Sequence, residues 1–257
     1  MGGGGAGYVT PVNAPAPDVL SSRAPVGVPR HRFAAIGWGL LAAIGFAVPV
    51  TVLALVVRGS RSELVEADHA AIAAATSVTR DHPGLRSALL VWQTALQPLP
   101  VYVVASLVCL LVWWRTGHRA RAVWCFLTMM VAWNVALDLK YVVQRVRPVV
   151  DDPVSTAPGY SFPSGHVANA AAAGTALLVL LWPLLPGRAA RGGAVTVVAL
   201  VVGLTALDRV YLGVHYPSDT VAGVLVGSGL VLSSWVGFRA WGRRPGAARG
   251  EHRTEEQ

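Results

Sequence analysis

Charged side chains are scarce in this sequence of 257 residues, since Asp, Glu, Lys and Arg make up only 13% of it. A soluble domain usually has about 25%. Hydrophobic residues make up 54% of the chain, and they are gathered into long blocks of the kind that a lipid bilayer accommodates. There is too little polar material to cover the surface of a soluble protein of this length, so the low charge content excludes an ordinary soluble domain.

Cysteine and acidic residues are also few. Cys109 and Cys125 are the two cysteines of the chain, and both lie inside apolar blocks, which favours side-chain packing over a disulfide or a metal pair. Lys and Arg outnumber Asp and Glu by 21 to 13, for a net charge of +8. Because the arginines fall between apolar blocks instead of forming one patch, we do not expect a nucleic-acid partner.

Six apolar blocks lie between two polar tails. Residues 1–32 and 242–257 lack apolar periodicity and are predicted to be disordered. The blocks span approximately Phe33–Val57, Ala88–Trp114, Ala122–Leu139, Pro163–Leu185, Gly193–Leu207 and Val221–Trp241. A helix needs about 20 residues to cross a membrane, so we predict an all-α integral membrane protein with one six-transmembrane-helix domain at residues 33–241. Pro98 and Pro100 are expected to kink or delimit the second block.

The distribution of basic residues predicts the orientation. With both tails on one side, that side holds 13 of the 21 Lys and Arg residues, which by the positive-inside rule makes the tails cytoplasmic. Residues 58–87 then form the first outer loop, where Ser60-Arg-Ser-Glu63 resembles a capping box that opens a short helix. The alanine- and arginine-rich composition suits a bacterial protein, so the plasma membrane of a bacterium is the expected location.

Three polar clusters stand out, and all fall on the predicted outer face. They are Lys140-Tyr-Val-Val-Gln-Arg-Val-Arg147-Pro148, Pro163-Ser164-Gly165-His166 and Arg209-Val-Tyr-Leu-Gly-Val-His215-Tyr-Pro-Ser-Asp219. Each has an ordinary explanation by itself. The cations can contact lipid headgroups, a serine before an apolar run can cap a helix, and a His and an Asp four residues apart can share a hydrogen bond. Together, however, they match the needs of one reaction.

Phosphoryl transfer needs cations on the non-bridging oxygens, a nucleophile, and an acid for the leaving group. Lys140, Arg147 and Arg209 supply three positive charges, and an arginine can bind two oxygens at once. The Ser164 hydroxyl and the backbone N–H groups around Gly165 lie at a predicted helix N-terminus, which favours an anion. These five residues form the predicted phosphate-binding site.

Three further residues supply the catalytic groups. His215 can attack phosphorus, with Asp219 accepting a hydrogen bond from the other ring nitrogen and fixing the tautomer. His166 can then protonate the leaving oxygen. Every role is filled and no set of metal ligands is left over, so we expect catalysis without a metal or another cofactor.

The pattern Lys-x6-Arg-Pro, Pro-Ser-Gly-His and Arg-x5-His-x3-Asp resembles the three-part signature of the type-2 phosphatidic acid phosphatase (PAP2) superfamily. The match covers residues 140–219 in order and spacing, and the six-helix layout extends it over most of residues 33–241. The resemblance implies a membrane phosphatase that binds phosphate through the five residues above. It also implies a phosphohistidine on His215, oriented by Asp219, with His166 as the general acid.

One position departs from the family pattern. The family usually has Ser immediately before the arginine of the third motif, and this chain has Asp208. A carboxylate that points into the site would weaken phosphate binding, so we expect Asp208 to face away or to brace Arg209. Asp138, two residues before Lys140, either pairs with a motif cation or lies at the membrane surface.

These features predict a lipid phosphatase acting on a lipid phosphate or diphosphate. Candidate substrates are undecaprenyl diphosphate, phosphatidic acid and phosphatidylglycerol phosphate, and an outward-facing site mildly favours the carrier diphosphate. One alternative is a vanadate-dependent haloperoxidase, whose motifs are similar but which is soluble and larger. The other is a non-catalytic lipid-phosphate-binding or transport protein that kept the anion pocket. No feature of the sequence indicates an oligomeric state.

Overall fold

The computed structural model describes residues 1–5, 30–59, 63–149 and 154–242. Its helices are α1 (Arg30–Arg58), α2 (Glu63–Asp81), α3 (Pro83–Ala95), α4 (Pro98–Arg115), α5 (Arg119–Val143), α6 (Gly165–Leu181), α7 (Gly187–Tyr211) and α8 (Pro217–Gly242). In the described ranges every regular element is an α-helix, and six of them, α1 and α4 to α8, are long and apolar enough to cross a membrane. The predicted six-helix membrane bundle is confirmed, whereas the predicted disordered tails lie almost entirely outside the described residues.

The sequence predicts the second apolar block, Ala88–Trp114, as one span, and the structure differs from this prediction. The block is divided between two helices, since α3 ends at Ala95 and α4 begins at Pro98. Proline has no N–H to continue a helix but fits the first turn of a new one, which explains why the break falls there. Pro98 therefore delimits the block, and the 18 residues of α4 supply the span alone.

The third and fifth spans are longer than their apolar runs. Lys140 and Arg209 end those runs in the sequence, yet in the structure they lie in the last turns of the 25-residue helices α5 and α7. A cation is favoured near a helix C-terminus, and a long basic side chain can reach past the apolar region. Lys140 and Arg209 are therefore fixed by helices, whereas Arg147 of the first motif lies in the loop after α5.

Helix α2 lies in the predicted outer loop and packs against the bundle. Its buried residues recur at helical spacing along one face and include Asp68, Ile72, Ala75, Thr76 and Thr79. This face contacts α7 and α8, and the Thr79 hydroxyl donates to the Tyr211 carbonyl at 2.8 Å. The short helix predicted here is present, while residues 60–62 of the proposed capping box lie outside the described ranges.

Helix α6 occupies the centre of the bundle and contacts α4, α5, α7 and α8. It approaches α8 closely because the facing residues are small. A Cβ atom on Gly227 would lie 2.2 Å from the Ala168 carbonyl oxygen, and one on Gly223 would lie 2.9 Å from the Ser164 carbonyl oxygen. This contact fixes the start of α6 against the start of α8, where two of the motifs lie.

The outer surface of the bundle is apolar. The span of α1 has a mean hydropathy of 2.7, although only 11% of it is buried, so its apolar side chains face the lipid. Inside, Cys109 and Cys125 are both buried in a cluster with Met129 and Leu180. The prediction that the two cysteines serve packing is confirmed.

Candidate active site

The topology brings the three motifs to one end of the bundle. Because consecutive spans run in opposite directions, the C-termini of α5 and α7 lie beside the N-termini of α6 and α8. The Ser164 N–H, at the start of α6, donates to the Asp219 carbonyl at the start of α8, at 3.0 Å. His166, in the first turn of α6, lies within electrostatic reach of Lys140, Arg147, Arg209 and His215. All eight predicted site residues are therefore brought together.

Lys140 fixes the backbone that leads into α6. Its ammonium group donates to the carbonyls of Tyr160 and Pro163, each at 2.9 Å, which uses two of its three donors. A Cβ atom on Gly165 would be 3.6 Å from the Lys140 Cε atom, so the lysine lies directly against the first residue of α6. The cation therefore stands beside the helix N-terminus predicted to bind phosphate.

Arg147 joins the first motif to the third. Its guanidinium donates to the carbonyls of Pro158 and Gly159 at 3.0 Å, and to that of Val214 at 2.8 Å. The same NH1 atom lies 3.2 Å from Nε2 of His215. Burial lowers the pKa of Arg147 from its usual value, and the Asp219 carboxylate opposes that effect. The arginine thus stays close to the nitrogen expected to attack phosphorus.

Two polar side-chain atoms at the start of α6 are buried without a partner. Ser164 is the residue before the first turn, yet its hydroxyl makes no capping hydrogen bond. Among the described residues, neither the Ser164 Oγ nor the His166 Nε2 has a hydrogen-bond partner. An unpaired buried polar group costs about 1–3 kcal/mol, so both atoms are suited to a ligand that accepts hydrogen bonds beside the N-terminus of α6.

The tautomer of His215 follows from its neighbours. Arg147 can only donate, so Nε2 accepts from it and the neutral ring carries its proton on Nδ1. That nitrogen lies 3.6 Å from Asp219 Oδ2, longer than a hydrogen bond but in line to tighten when the ring becomes charged. Burial lowers the pKa of His215 to about 4, against the opposing effect of Asp219. The ring is therefore neutral at pH 7, with its Nε2 lone pair directed away from the carboxylate.

Asp208 braces Arg209, which is one of the two outcomes expected for this departure from the family pattern. Both Nε and NH2 of Arg209 donate to the same carboxylate oxygen of Asp208, the first at 2.8 Å. The two side chains are almost completely buried. Asp138 is exposed on α5, which agrees with the membrane-surface alternative for that residue.

Sequence reasoning missed two charged residues that contact the site. Arg145 donates to Asp219 Oδ1 at 2.7 Å, and its other terminal nitrogen donates to Asp68 Oδ2 on α2 at 2.8 Å. Arg145 stands inside the first motif, and its burial could have been suspected from that position. Asp68 belongs to no motif, and no local signal in its alanine-rich helix marks it.

No obvious metal centre is present in the described part of the chain, where no group of three or more His, Cys, Asp or Glu side chains is placed to hold an ion. The carboxylates of Asp219 and Asp208 are paired with Arg145 and Arg209. The other motif side chains are cationic or neutral, and such groups suit an anion better than a metal ion. That catalysis needs no metal stays a prediction, which the experiment below tests.

Comparison with known proteins supports the family resemblance. The model of the PAP2 superfamily matches residues 121–243. The decaprenylphosphoryl-5-phosphoribose phosphatase of Mycobacterium tuberculosis is 39% identical over 121 residues, which are 44% of this chain and 60% of that protein. The undecaprenyl-diphosphatase of Sulfolobus acidocaldarius is 30% identical over 127 residues, 44% of this chain and 52% of that protein. The chain thus spans between half and two thirds of the length of these curated relatives.

A solved structure has the same fold. The crystal structure of a transmembrane PAP2-type phosphatidylglycerolphosphate phosphatase from Bacillus subtilis superposes with a TM-score of 0.65 at 23% identity, covering 79% of this chain and 98% of that chain. The chain thus has the fold of a transmembrane PAP2-type phosphatase, and its three motifs lie at one end of the six-helix bundle. Residues 121–243 of the chain match the PAP2 superfamily, and over this region the chain resembles its members.

Proposed function

We propose that this protein is a lipid phosphatase that hydrolyses a phosphoric ester or diphosphate through a phosphohistidine on His215. The proposal rests most directly on the two unpartnered buried atoms at the start of α6, the Ser164 hydroxyl and His166 Nε2. They lie beside Lys140 and Arg147. A tetrahedral oxyanion would satisfy both atoms and the cations together.

Phosphate binding follows from this arrangement. The Ser164 hydroxyl and the free N–H groups at Gly165 would donate to one face of the phosphate, as helix N-termini do for anions. Lys140, Arg147 and Arg209 would neutralise the non-bridging oxygens. Arg147 would leave the His215 nitrogen for a phosphate oxygen, which frees the Nε2 lone pair at the moment the substrate arrives.

The reaction then proceeds in two transfers. His215 Nε2 forms a bond to phosphorus as the bond from phosphorus to the leaving oxygen breaks, and His166 gives its proton to that oxygen. Asp219 stabilises the imidazolium through the Nδ1 proton. In the second transfer His166 takes a proton from water, the water oxygen bonds to phosphorus, and the bond to Nε2 breaks to release phosphate. Binding of a phosphate dianion among the cations favours the protonated form of His166 that the first transfer needs.

The surroundings of the site suit a substrate anchored in lipid. The site lies where the membrane spans end, and exposed apolar side chains flank it, including Tyr141, Val142 and Val146. A lipid tail can remain beside these residues while its phosphate reaches the cations. We propose undecaprenyl diphosphate, phosphatidic acid and phosphatidylglycerol phosphate as candidates, with the carrier diphosphate favoured by a site on the outer face. The proteins that this chain resembles are a decaprenylphosphoryl-5-phosphoribose phosphatase, an undecaprenyl-diphosphatase and a phosphatidylglycerolphosphate phosphatase.

The proposal is tested by phosphate release from purified protein in detergent, with EDTA present, across these lipids. We expect turnover with EDTA and faster release from the prenyl diphosphate. Much faster hydrolysis of phosphatidic acid would reject the substrate preference, and loss of activity to EDTA would reject metal independence. Release from none of the lipids would leave a non-catalytic binding or transport protein as the better description.

Histidine variants identify the nucleophile in the same assay. His215→Ala should lower turnover by about 10⁶-fold, the scale on which loss of a catalytic nucleophile acts, while the protein still binds substrate. His118→Ala is the matched control, because that histidine precedes α5 at the opposite end of the bundle, and it should leave turnover unchanged. Full turnover by the His215→Ala variant would eliminate the assigned nucleophile.

A further inference from the structure

Arg145 connects the carboxylate beside His215 to a helix that carries none of the motifs. Its guanidinium lies between Asp219 at 2.7 Å and Asp68 at 2.8 Å, and it stacks 4.0 Å from the centre of the Tyr216 ring. It also donates to the Ser218 hydroxyl at 2.7 Å, and that hydroxyl donates to Asp68. Arg145 is 8% exposed, Asp68 2% and Asp219 not at all, so solvent does not screen these contacts.

The two oxygens of Asp219 are held by different groups. Oδ1 accepts from Arg145, and Oδ2 accepts from the Tyr216 backbone N–H at 3.0 Å. Oδ2 is also the oxygen that faces Nδ1 of His215. A carboxylate held on one side only could rotate about its terminal torsion, which is a soft one. The two hydrogen bonds together prevent that rotation and keep Oδ2 directed at His215.

We propose that Arg145, held by Asp68 of α2, is a positioning residue for the Asp219–His215 pair, so that α2 forms part of the catalytic apparatus. The inference rests on the proposed function, because it assumes that His215 is the nucleophile. Asp68 acts as the counterion of Arg145. With both present, the three charges sum to one negative charge, which remains to stabilise the His215 imidazolium during transfer. Without Asp68, the charges of Arg145 and Asp219 cancel, and no net negative charge remains to stabilise the imidazolium.

The charges that face His215 give this inference a distinct pH signature. Burial, Lys140 of α5 and Arg147 of the following loop disfavour a proton on His215, whereas Asp219 of α8 favours one. His166 of α6 lies within electrostatic reach of the same ring, and Arg209 of α7 lies near His166 and Arg147. Removing the negative charge of Asp68 makes the surroundings of His215 more positive, so the acid limb of kcat/KM moves to lower pH. Removing the positive charge of Arg145 has the opposite effect and moves that limb to higher pH.

The test compares Asp68→Asn and Arg145→Gln with the parent protein, using the lipid phosphate that the parent hydrolyses fastest. Loss of an orienting contact costs about 100-fold in rate when reacting groups are displaced by an ångström. We therefore expect kcat to fall about 100-fold for Arg145→Gln and about 10-fold for Asp68→Asn, each with KM little changed. The acid limbs of the two variants should move in opposite directions.

A matched control lies on the same helix. Thr79→Val removes a buried hydrogen bond between α2 and α7 without changing a charge, and it should alter neither kcat nor the acid limb. Arg145→Lys keeps the charge but cannot bridge two carboxylates. The acid limb of its kcat/KM profile should therefore stay at the same pH while kcat falls. If Arg145→Gln does not fold, Ser218→Ala removes the bridging hydroxyl and should lower kcat in the same sense as Asp68→Asn.

Two results would overturn the inference while leaving the proposed function intact. One is an Asp68→Asn protein with unchanged kcat and an unmoved acid limb in an assay where His215→Ala is inactive. The other is loss of activity in Asp68→Asn and Thr79→Val alike, with a matching loss of thermal stability, which would make α2 a purely structural support. An inactive parent protein, in contrast, would reject the proposed function itself.

Discussion

Arg147 has two roles at the scale of single residues. Its NH1 atom lies against the nitrogen of His215 that attacks phosphorus in the proposed mechanism, and the guanidinium also holds three backbone carbonyls. In the proposed mechanism these carbonyl contacts keep the arginine in the site when a phosphate draws it away from the histidine. Arg147 would then protect the Nε2 lone pair of His215 before substrate binds and neutralise phosphate charge afterwards.

The buried position of His215 determines the pH dependence. Because burial lowers its pKa from 6.5 to about 4, the ring stays neutral and nucleophilic until the pH falls below that value. After correction for ionisation of the substrate, we expect the acid limb of kcat/KM near pH 4. A limb near pH 6.5 that moves in conservative variants of His215 would show that the histidine is accessible to water and would contradict the geometry described above.

If Arg209 binds phosphate as proposed, Asp208 competes with the substrate for it. Because the carboxylate occupies two donors of the guanidinium, Asp208→Ser should free them and lower KM by about 10-fold, the value of one charge-assisted hydrogen bond. The same change leaves Arg209 buried without its partner, so thermal stability should fall and orthovanadate should restore it.

The exposed Asp138 provides the control for this change, since Asp138→Ser should leave both KM and thermal stability as they were. An unchanged or higher KM in Asp208→Ser would mean that Arg209 does not contact the substrate.

The eight motif residues could be predicted from the sequence because their chemistry and spacing are informative together. Asp68 could not, since its contact with Arg145 spans 77 positions and a single carboxylate in an amphipathic helix has no distinctive pattern. The sequence also could not show whether Asp208 faces away from the site or braces Arg209, because the motif spacing is the same in both cases. Only the packing of α7 places this carboxylate on the arginine.

At the scale of helices, the close contact between α6 and α8 determines the site. These helices carry Ser164 and His166 at one N-terminus and Asp219 at the other, so their separation sets the width of the proposed phosphate pocket. Sequence hydropathy predicted the spans but not this contact, since glycine and alanine are common throughout the chain. The break before α4 was foreseeable, because Pro98 and Pro100 interrupt the apolar block in the sequence.

Gly227→Ala tests the contact between these helices. The added methyl group would lie 2.2 Å from the Ala168 carbonyl oxygen, and rigid backbone cannot yield as a side chain would. Overpacking of this kind costs about 1–3 kcal/mol, so we expect a lower melting temperature and a marked loss of kcat. Gly203→Ala on α7 meets no atom within 4 Å and should be neutral. Equal behaviour of the two variants would show that the helix contact does not shape the site.

At the scale of the whole molecule, the distribution of arginine predicts which way the site faces. In the described part of the chain, the acidic residues Glu63, Glu66, Asp68, Asp81, Asp138, Asp208 and Asp219 all lie towards the motif end, together with basic residues such as Arg58, Arg80 and Arg86. Counted over the whole sequence with both tails on one side, 13 of the 21 Lys and Arg residues fall on the side opposite the motifs, which the positive-inside rule predicts to be cytoplasmic. An outward-facing phosphatase site follows as a proposal.

Cysteine labelling tests that orientation. Both native cysteines are buried, so background labelling should be low. A membrane-impermeant maleimide added to intact cells should label Ser87→Cys, on the exposed surface of α3. It should label Gly117→Cys, in the loop before α5, only after the membrane is permeabilised. The reverse pattern would place the site in the cytoplasm and remove the argument that favours a carrier diphosphate.

The central proposal is that a phosphoryl group passes through His215. The most direct measurement is a single turnover with ³²P-labelled lipid phosphate, quenched in alkali where phosphohistidine survives, followed by peptide mapping of the bound label. We expect label on the peptide that contains His215 and none in the His215→Ala protein. Rapid hydrolysis with no protein-bound label at any time, together with inversion of configuration at phosphorus, would contradict a covalent intermediate and the site assignment built on it.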